Sequence, residues 1–359
     1  MPRSKRGAAL ALVLWALVVG AALLTAAVVI TVQEQRMAGA ASREERALLA
    51  AERHGTEALD RWTVGELLLR MPRPFDSLQA GSGDGWAALL RRLTAQTFLL
   101  EVSGSAAPDA IARIGWLLRA EPESVALAGA ASVGGPALLG DGVTISGVDE
   151  PPPGRADCPP AGAAIPGVAA AETDVAGTAT VTGTPPIELR PAAESGLATT
   201  DLARFSALAP RATLLLPGGN YSTHPATVGT SCDLRDVLNW GDPSGPGNPC
   251  GAYSPIIRIG GSAALTGGVG QGILLVDGDL HITAPYEFDG LILVKGTLNT
   301  EAPLLVRGAI ATAFLGSSSG HLTQVEVYYS KCIMDNVIQF SSPLHILPSR
   351  GWKQLFQAP

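Results

Sequence analysis

Ala8 to Val32 is an unbroken run of twenty-five residues without a charge, preceded by Met-Pro-Arg-Ser-Lys-Arg-Gly. Wound as a helix at about 1.5 Å per residue, it spans roughly 37 Å, more than the ~30 Å hydrocarbon core of a bilayer. Arg3, Lys5 and Arg6 hold the N-terminus on the cytoplasmic side, because cationic flanks resist translocation. Everything after Val32 is then expected outside the membrane. No second apolar run approaches spanning length, so the sequence reads as a single-pass protein with a large exported body.

Three readings of this segment compete. A secretory signal has a basic start, an apolar region of about 7–15 residues and a small-residue cleavage site. Small residues near Thr25 to Ala27 and Met37 to Ala41 suit that, but the apolar run is too long. An uncleaved signal anchor is the second. The third takes the short basic leader, Gly7 directly before the run, and Ala-Ala-Leu-Ala-Leu-Val-Leu-Trp together. This N-terminus resembles a type IV prepilin. The resemblance implies cleavage between Gly7 and Ala8 by a membrane peptidase, with the apolar helix kept and packed into a filament core.

Major pilins carry Glu at the fifth mature position, where this chain has Leu12. A buried carboxylate is costly unless paired, so its absence removes both a cost and an assembly contact. The chain thus resembles minor, priming or tip components, namely PilX-type pilus-assembly proteins and the K-type minor pseudopilin of type II secretion. The implied partners are other pilin or pseudopilin subunits and the inner membrane. Gly20, Ala21 and Ala22 would allow close approach of neighbouring helices. From Gln33 to Trp62 the pattern stays helical, with Leu48, Ala51, Gly55, Ala58 and Trp62 recurring every three or four residues.

With 42 Gly, 27 Pro and 5% aromatic residues, the exported part fits many short strands joined by tight turns rather than a helical enzyme core. Net charge is −7, or about −10 without the three leader cations, and no basic patch alternates with aromatics. Nucleic acid is therefore not an expected ligand. Cys158, Cys232, Cys250 and Cys332 all lie in the exported part and allow three disulfide pairings. Closing the Gly- and Pro-rich loop between Cys232 and Cys250 removes roughly 3 kcal/mol of unfolded-state entropy. That favours this pair and leaves Cys158 with Cys332. No Cys-x-x-Cys occurs, so a zinc or thioredoxin-like site is unsupported, and no metal or cofactor is expected.

The expected fold is α+β: a long transmembrane, pilin-like helix followed by a mainly β body whose C-terminal part is a β-solenoid-like stack. The expected segments are a leader at 1–7, the membrane and stalk helix at 8–64, a pilin-like α/β head at 65–150, an Ala/Gly/Pro-rich connector at 151–213 and a Gly-rich β domain at 214–348. Within the head, Leu67 to Leu69 and Trp86 to Leu93 fit helices, Gln96 to Ser103 a strand, and Ile111 to Arg119 either. The solenoid expectation rests on a recurring apolar-x-Gly triplet. It occurs at 127–129 and 145–147, then at 259–261, 276–278, 294–296 and 306–308, the last set spaced by 17, 18 and 12. Recurrence near eighteen residues suits stacked coils with glycine at the corners, although a meander of hairpins also yields glycine-punctuated strands.

Asn239 to Thr312 extends the resemblance. Asn-Trp-Gly-Asp-Pro, Pro-Cys-Gly-Ala-Tyr-Ser-Pro-Ile-Ile, Gly-Gln-Gly-Ile-Leu-Leu-Val-Asp-Gly-Asp-Leu and Phe-Asp-Gly-Leu-Ile-Leu-Val-Lys-Gly-Thr-Leu occur here in that order. The order is similar to that in PilX-like envelope proteins, which combine a pilin N-terminus with an extracytoplasmic β domain. The resemblance implies a location in the cell envelope and a role in an assembly, not a reaction.

Candidate chemistry is thin. Gly316 to Gly320 matches a nucleophile-elbow pattern, but a strand-like segment follows where a helix is needed. Asp277, Asp279 and His281 alternate along one strand and share a face; three ligands from one strand with no distant partner fall short of a divalent-ion site, and they read as an exposed polar face. Gly268 to Gly272 precedes a strand rather than a helix and so lacks the phosphate-holding N-terminus, reading as a tight turn. No catalytic residue is assigned. The expected role is non-catalytic assembly; the alternatives are an anchored envelope protein outside any filament, and an enzyme acting on envelope polysaccharide.

Overall fold

Ala47, Ala51, Gly55 and Ala58 fall on one helical face that is almost bare of side chains, and this face decides how the first part of the chain packs. The computed structural model describes residues 6–59, 62, 64–71, 73–94, 96–107, 110–120, 127–153, 155, 158–159, 161–190, 205–245, 247–316, 322–347 and 353–354, with backbone alone for 6–12 and 353–354. Two compact units emerge: Met1–Arg61 with Pro74–Arg119 and Ile346–Pro359, and Trp62–Arg73 with Ala120–His345.

The first unit is one helix against an antiparallel meander. Helix α1 runs Arg6–Leu59. Strands β1 (Ser77–Gly83), β2 (Trp86–Arg92), β3 (Thr97–Ala107) and β4 (Ala110–Ala120) pair in chain order, and Lys353–Gln354 adds antiparallel to β4. Alternation sends Leu90, Leu100 and Trp116 to the inner face in one cross-strand row, and Ala88, Val102 and Ile114 in the next. Ala47, Ala51 and Ala58 bury against that face. Their smallness lets β3 approach the helix backbone. A Cβ on Gly104 would lie 2.5 Å from the Ala51 amide nitrogen and 2.6 Å from the Ala47 carbonyl, so only glycine fits. Gly55 likewise leaves its space to the Trp116 ring. Leu48 is only half-buried, so the packing row runs through Ala47 rather than through Leu48. Trp86 to Arg92 is a strand, not a helix, because its apolar residues follow period two.

The second unit is dominated by parallel strands. Short helix α2 (Val64–Arg70) opens it, and Trp62 stacks over Arg70, 5.2 Å from guanidinium carbon to ring centre. Then come β5 (Ala131–Val133), β6 (Pro136–Leu139), β7 (Thr144–Ser146), β8 (Val168–Ala170), β9 (Glu172–Val175), β10 (Thr180–Thr182) and β11 (Ile187–Leu189). After residue 213 follow β12 (Leu214–Thr223), the hairpin β13 (Thr227–Val228) and β14 (Ser231–Cys232), β15 (Ile256–Val276), β16 (Leu280–Ile282), β17 (Tyr286–Thr300), β18 (Leu304–Leu315), β19 (Val325–Tyr328) and helix α3 (Lys331–Ser341).

Ile273 faces Leu291, which faces Ala309, each step eighteen residues. The runs Ile273–Val276 and Leu291–Val294 are buried throughout, as expected of parallel strands covered on both faces. Helix α3 contributes to the cover, with Ile333, Met334, Val337 and Ile338 in the same core cluster. Gly272, Gly290 and Gly308 form one column, with φ of +114°, +142° and +140°. A Cβ on Gly290 would run into the Gly272 carbonyl, and one on Gly308 into the Gly290 carbonyl. This column explains the odd spacing of 12. Gly261, Gly278 and Gly296 hydrogen-bond in sequence at one bend, whereas Gly308 belongs to the other bend, eighteen residues beyond Gly290.

Stack order is not chain order. β18 pairs with β19 at Leu304–Arg307 and with β5 at Ile310–Thr312, so one level is built from residues nearly two hundred positions apart. From there β7, β8 and β9 form the next level, and β10 and β11 a further one. Ala131–Ser146, inside the range read as a 65–150 head, holds the parallel strands β5, β6 and β7, and Val168–Leu189, inside the range read as a 151–213 connector, holds four more, β8 to β11. Small residues in that stretch were no obstacle, since Val168, Ala169 and Ala170 are all buried there.

Candidate functional site

The apolar first part of α1 is the most prominent surface of the first unit. Val13–Leu59 is long and apolar enough to cross a membrane, and its most apolar window has no buried residue. Trp15, Leu17, Val18, Leu23 and Leu24 are 65–71% exposed. Gly7 and Ala8 lie in the helical backbone. Ala21 and Ala22 are exposed, and nothing approaches within 4 Å of the space a Cβ on Gly20 would take. An apolar surface of this extent is costly to leave in water.

The cysteines join as Cys158–Cys332 and Cys232–Cys250. The first ties the segment after β7 to the start of α3. There Asp149 serves as cap: Oδ1 accepts from the Lys331 amide at 2.8 Å and Oδ2 from the Gly162 amide at 2.5 Å. The second closes the loop that carries Trp240 and Asn239, and the Asn239 side-chain amide donates to the Ala226 and Asp233 carbonyls.

Asp277 and Asp279 are consumed by bonds between neighbouring levels. Arg258 Nε donates to Asp277 Oδ2 at 2.9 Å and Lys295 Nζ to Oδ1 at 2.5 Å. Burial pushes the Asp277 carboxyl up, but those two cations outweigh it and hold the group below its ordinary value. Asp279 Oδ1 accepts from the Thr297 amide at 2.7 Å, and a Cβ on Gly296 would collide with that oxygen. His281 sits between Ala264 and Asn299. Among the described residues no three His, Cys, Asp or Glu side chains converge for a metal. Gly268 to Gly272 is continuous with β15 rather than a tight turn, because Gly268 and Gly272 take φ near +115° and let the strand bend without ending. Of the elbow pattern, residues 317–320 lie outside the described residues.

A shallow groove of 590 Å³ crosses successive levels beside Glu287, Leu305, Gln324 and Glu326. Gln324 takes φ +57°, unusual for a side-chain-bearing residue. Among the described residues the most perturbed carboxylate is Asp289 on β17. It is 2% exposed; Oδ1 accepts from Arg307 Nη1 at 2.8 Å, and Oδ2 has no hydrogen-bond partner. The same Nη1 donates to Glu287 Oε1 at 2.6 Å. Burial drives the Asp289 carboxyl up to about 6, with Arg307 and Arg155 opposing and Glu287 adding to the rise. Sequence reasoning passed over this residue. The available signal was a carboxylate inside the apolar stretch Tyr286–Val294, where a charge is hard to solvate. No protein-family model, no curated protein and no solved structure matches the chain.

Proposed function

We propose that this chain is a membrane-tethered, non-catalytic assembly component of the minor-pilin kind, belonging to a type IV pilus or a related secretion filament. One observation carries the reading. α1 is a single helix whose apolar beginning is bare while its later part is locked to an antiparallel sheet through Ala47, Ala51, Gly55 and Ala58. Such a helix rests in a bilayer and can exchange lipid for neighbouring helices, with Gly20, Ala21 and Ala22 at the close approach. In this reading the N-terminus is cytoplasmic, Gly7–Ala8 is the processed bond, and the second unit is a β-solenoid displayed outside the membrane. The eighteen-residue register and the glycine column support the solenoid part.

N-terminal sequencing of the native membrane protein tests the reading. A mature chain starting at Ala8, converted to an intact leader when the prepilin peptidase is deleted, is the expected result. An unprocessed leader in peptidase-competent cells would remove the filament role and leave a plain envelope anchor.

A further inference from the structure

Arg70 at the end of α2 and Arg235 just after β14 are far apart in the chain, yet both line one open depression of 660 Å³ in the second unit. One wall of it is fixed. β13 and β14 pair Thr227 with Cys232 and Val228 with Ser231, and the Cys232–Cys250 bond locks the end of the hairpin. The Asp233 amide donates to the Ala226 carbonyl at 2.9 Å, and the Asn239 side-chain amide to the Asp233 carbonyl at 2.8 Å. Arg70 is held as well, its guanidinium carbon 5.2 Å from the centre of the Trp62 ring. A guanidinium stacked on a ring keeps its N–H edge free for a planar oxyanion. Among the described residues no carboxylate pairs with the guanidinium of Arg70 or Arg235. The carboxylate in the lining, Asp233, accepts from the Arg235 amide at 3.0 Å and so serves its own turn. Asp236 pairs with His224 at 3.5 Å and accepts from the Leu238 amide at 2.9 Å, and Glu66 on α2 has a partner of its own. Two guanidiniums without an anion thus share a depression on a chain whose 32 carboxylates outnumber its 25 cations.

We propose that this depression binds an acidic sugar, a hexose carrying phosphate or carboxylate, with Arg70 and Arg235 on the oxyanion. Each guanidinium presents two parallel N–H groups to two oxygens, a match that phosphate and carboxylate share. Thr230 and Ser231 bring exposed side chains with hydroxyls to the same depression, and Val228, 66% exposed, brings an aliphatic one. That mixture suits a ring with O–H groups at its edge and C–H groups on its face. No aromatic ring lines the depression, so a nucleobase has nothing to stack on. The volume falls within the range of about 300–1,000 Å³ usual for small-molecule sites. Binding here makes and breaks no covalent bond. The site lies wholly in the second unit, so it does not depend on how the leader is processed or on a filament role.

The test is isothermal titration calorimetry on the full chain in uncharged detergent micelles, with glucose 6-phosphate, glucuronate, glucose and inorganic phosphate as probes. At least one of the two acidic sugars is expected to bind with a Kd on the order of 1 mM, about tenfold tighter than glucose or inorganic phosphate. The tighter of the two identifies the oxyanion. Arg70→Gln and Arg235→Gln are each expected to weaken that binding about tenfold, and Arg235→Lys, which keeps the charge but loses the fork, about threefold. Both arginines are exposed, so the variants keep the fold, and Arg113→Gln in the first unit is expected to change nothing. Binding of neither acidic sugar, equal binding of glucose or inorganic phosphate, or an affinity unmoved in both Arg70→Gln and Arg235→Gln would each overturn the proposal.

Discussion

The two units solve the same problem, holding a Gly- and Ala-rich chain together, by different physics. The first relies on a lateral fit, with the bare face of α1 seated on alternating side chains of a meander paired in chain order. The second relies on vertical repetition: from β15 to β17 the stack places Leu291 over Ile273, Gly290 over Gly272 and Lys295 over Asp277, each at a step of eighteen residues. The lateral fit depends on a few close contacts, whereas in the stack a single fault breaks the column above and below it. Small residues thus serve approach in one unit and corner geometry in the other.

The sharpest way to break the comparison is Gly290→Ala. The new methyl meets the Gly272 carbonyl at a φ of +142°, so neither neighbour can yield cheaply. A loss on the order of 5 kcal/mol is expected. Thermal unfolding should show the second unit's transition lost while hydrogen exchange in β2 and β3 persists; loss in both units alike would deny their independence. Next is Gly104→Ala, which pushes β3 off the α1 backbone and is expected to cost about 3 kcal/mol. Urea unfolding read by Trp116 fluorescence checks it, and near-neutrality would show that the helix gives way.

Smaller effects sharpen the contrast. The Asp289 carboxyl, raised to about 6 in the folded chain, binds a proton the unfolded chain has released, so the second unit is more stable on the acid side. From pH 5 to 7.5 the wild type should lose on the order of 1 kcal/mol through this group, and Asp289→Asn should show no such loss in denaturant titrations at the two pH values. Lys295→Met is the mildest. It leaves Asp277 with Arg258 alone and removes a cation seated 4.1 Å from the centre of the Phe205 ring, and a cost near 1 kcal/mol is expected because the lysine is partly exposed. An effect confined to the second unit supports vertical charge pairing; none at all would show the pair to be incidental.

How far these features could be read from residues alone differs between the two units. The charge-free run Ala8–Val32 admits few structures in any environment, and its helix needed no tertiary information. The period-two pattern of Gln96 to Ser103 likewise declared a strand, and the alternation of Trp86 to Arg92 could have done so. The eighteen-residue recurrence was visible as Val-Asp-Gly and Val-Lys-Gly. Its two glycine columns were not separable, because a triplet carries no mark of which bend it occupies. Asp289 was hidden for a related reason: its side chain is 2% exposed, and the cation that meets it, Arg307, comes from the neighbouring strand eighteen residues on.

Sequence by itself determined the local terms: a spanning helix, apolar strand runs too long to face water, and glycine wherever a bend needs a conformation that L side chains resist. Only the tertiary structure decided which pieces share a level. β19 and β5 complete one strand row beside β18 because both present a short apolar edge at the right height, and hydrogen-bond geometry does not register how many residues separate them. Local preference acts over a few neighbours in the chain, whereas pairing and burial act over whatever folding brings within a few ångströms.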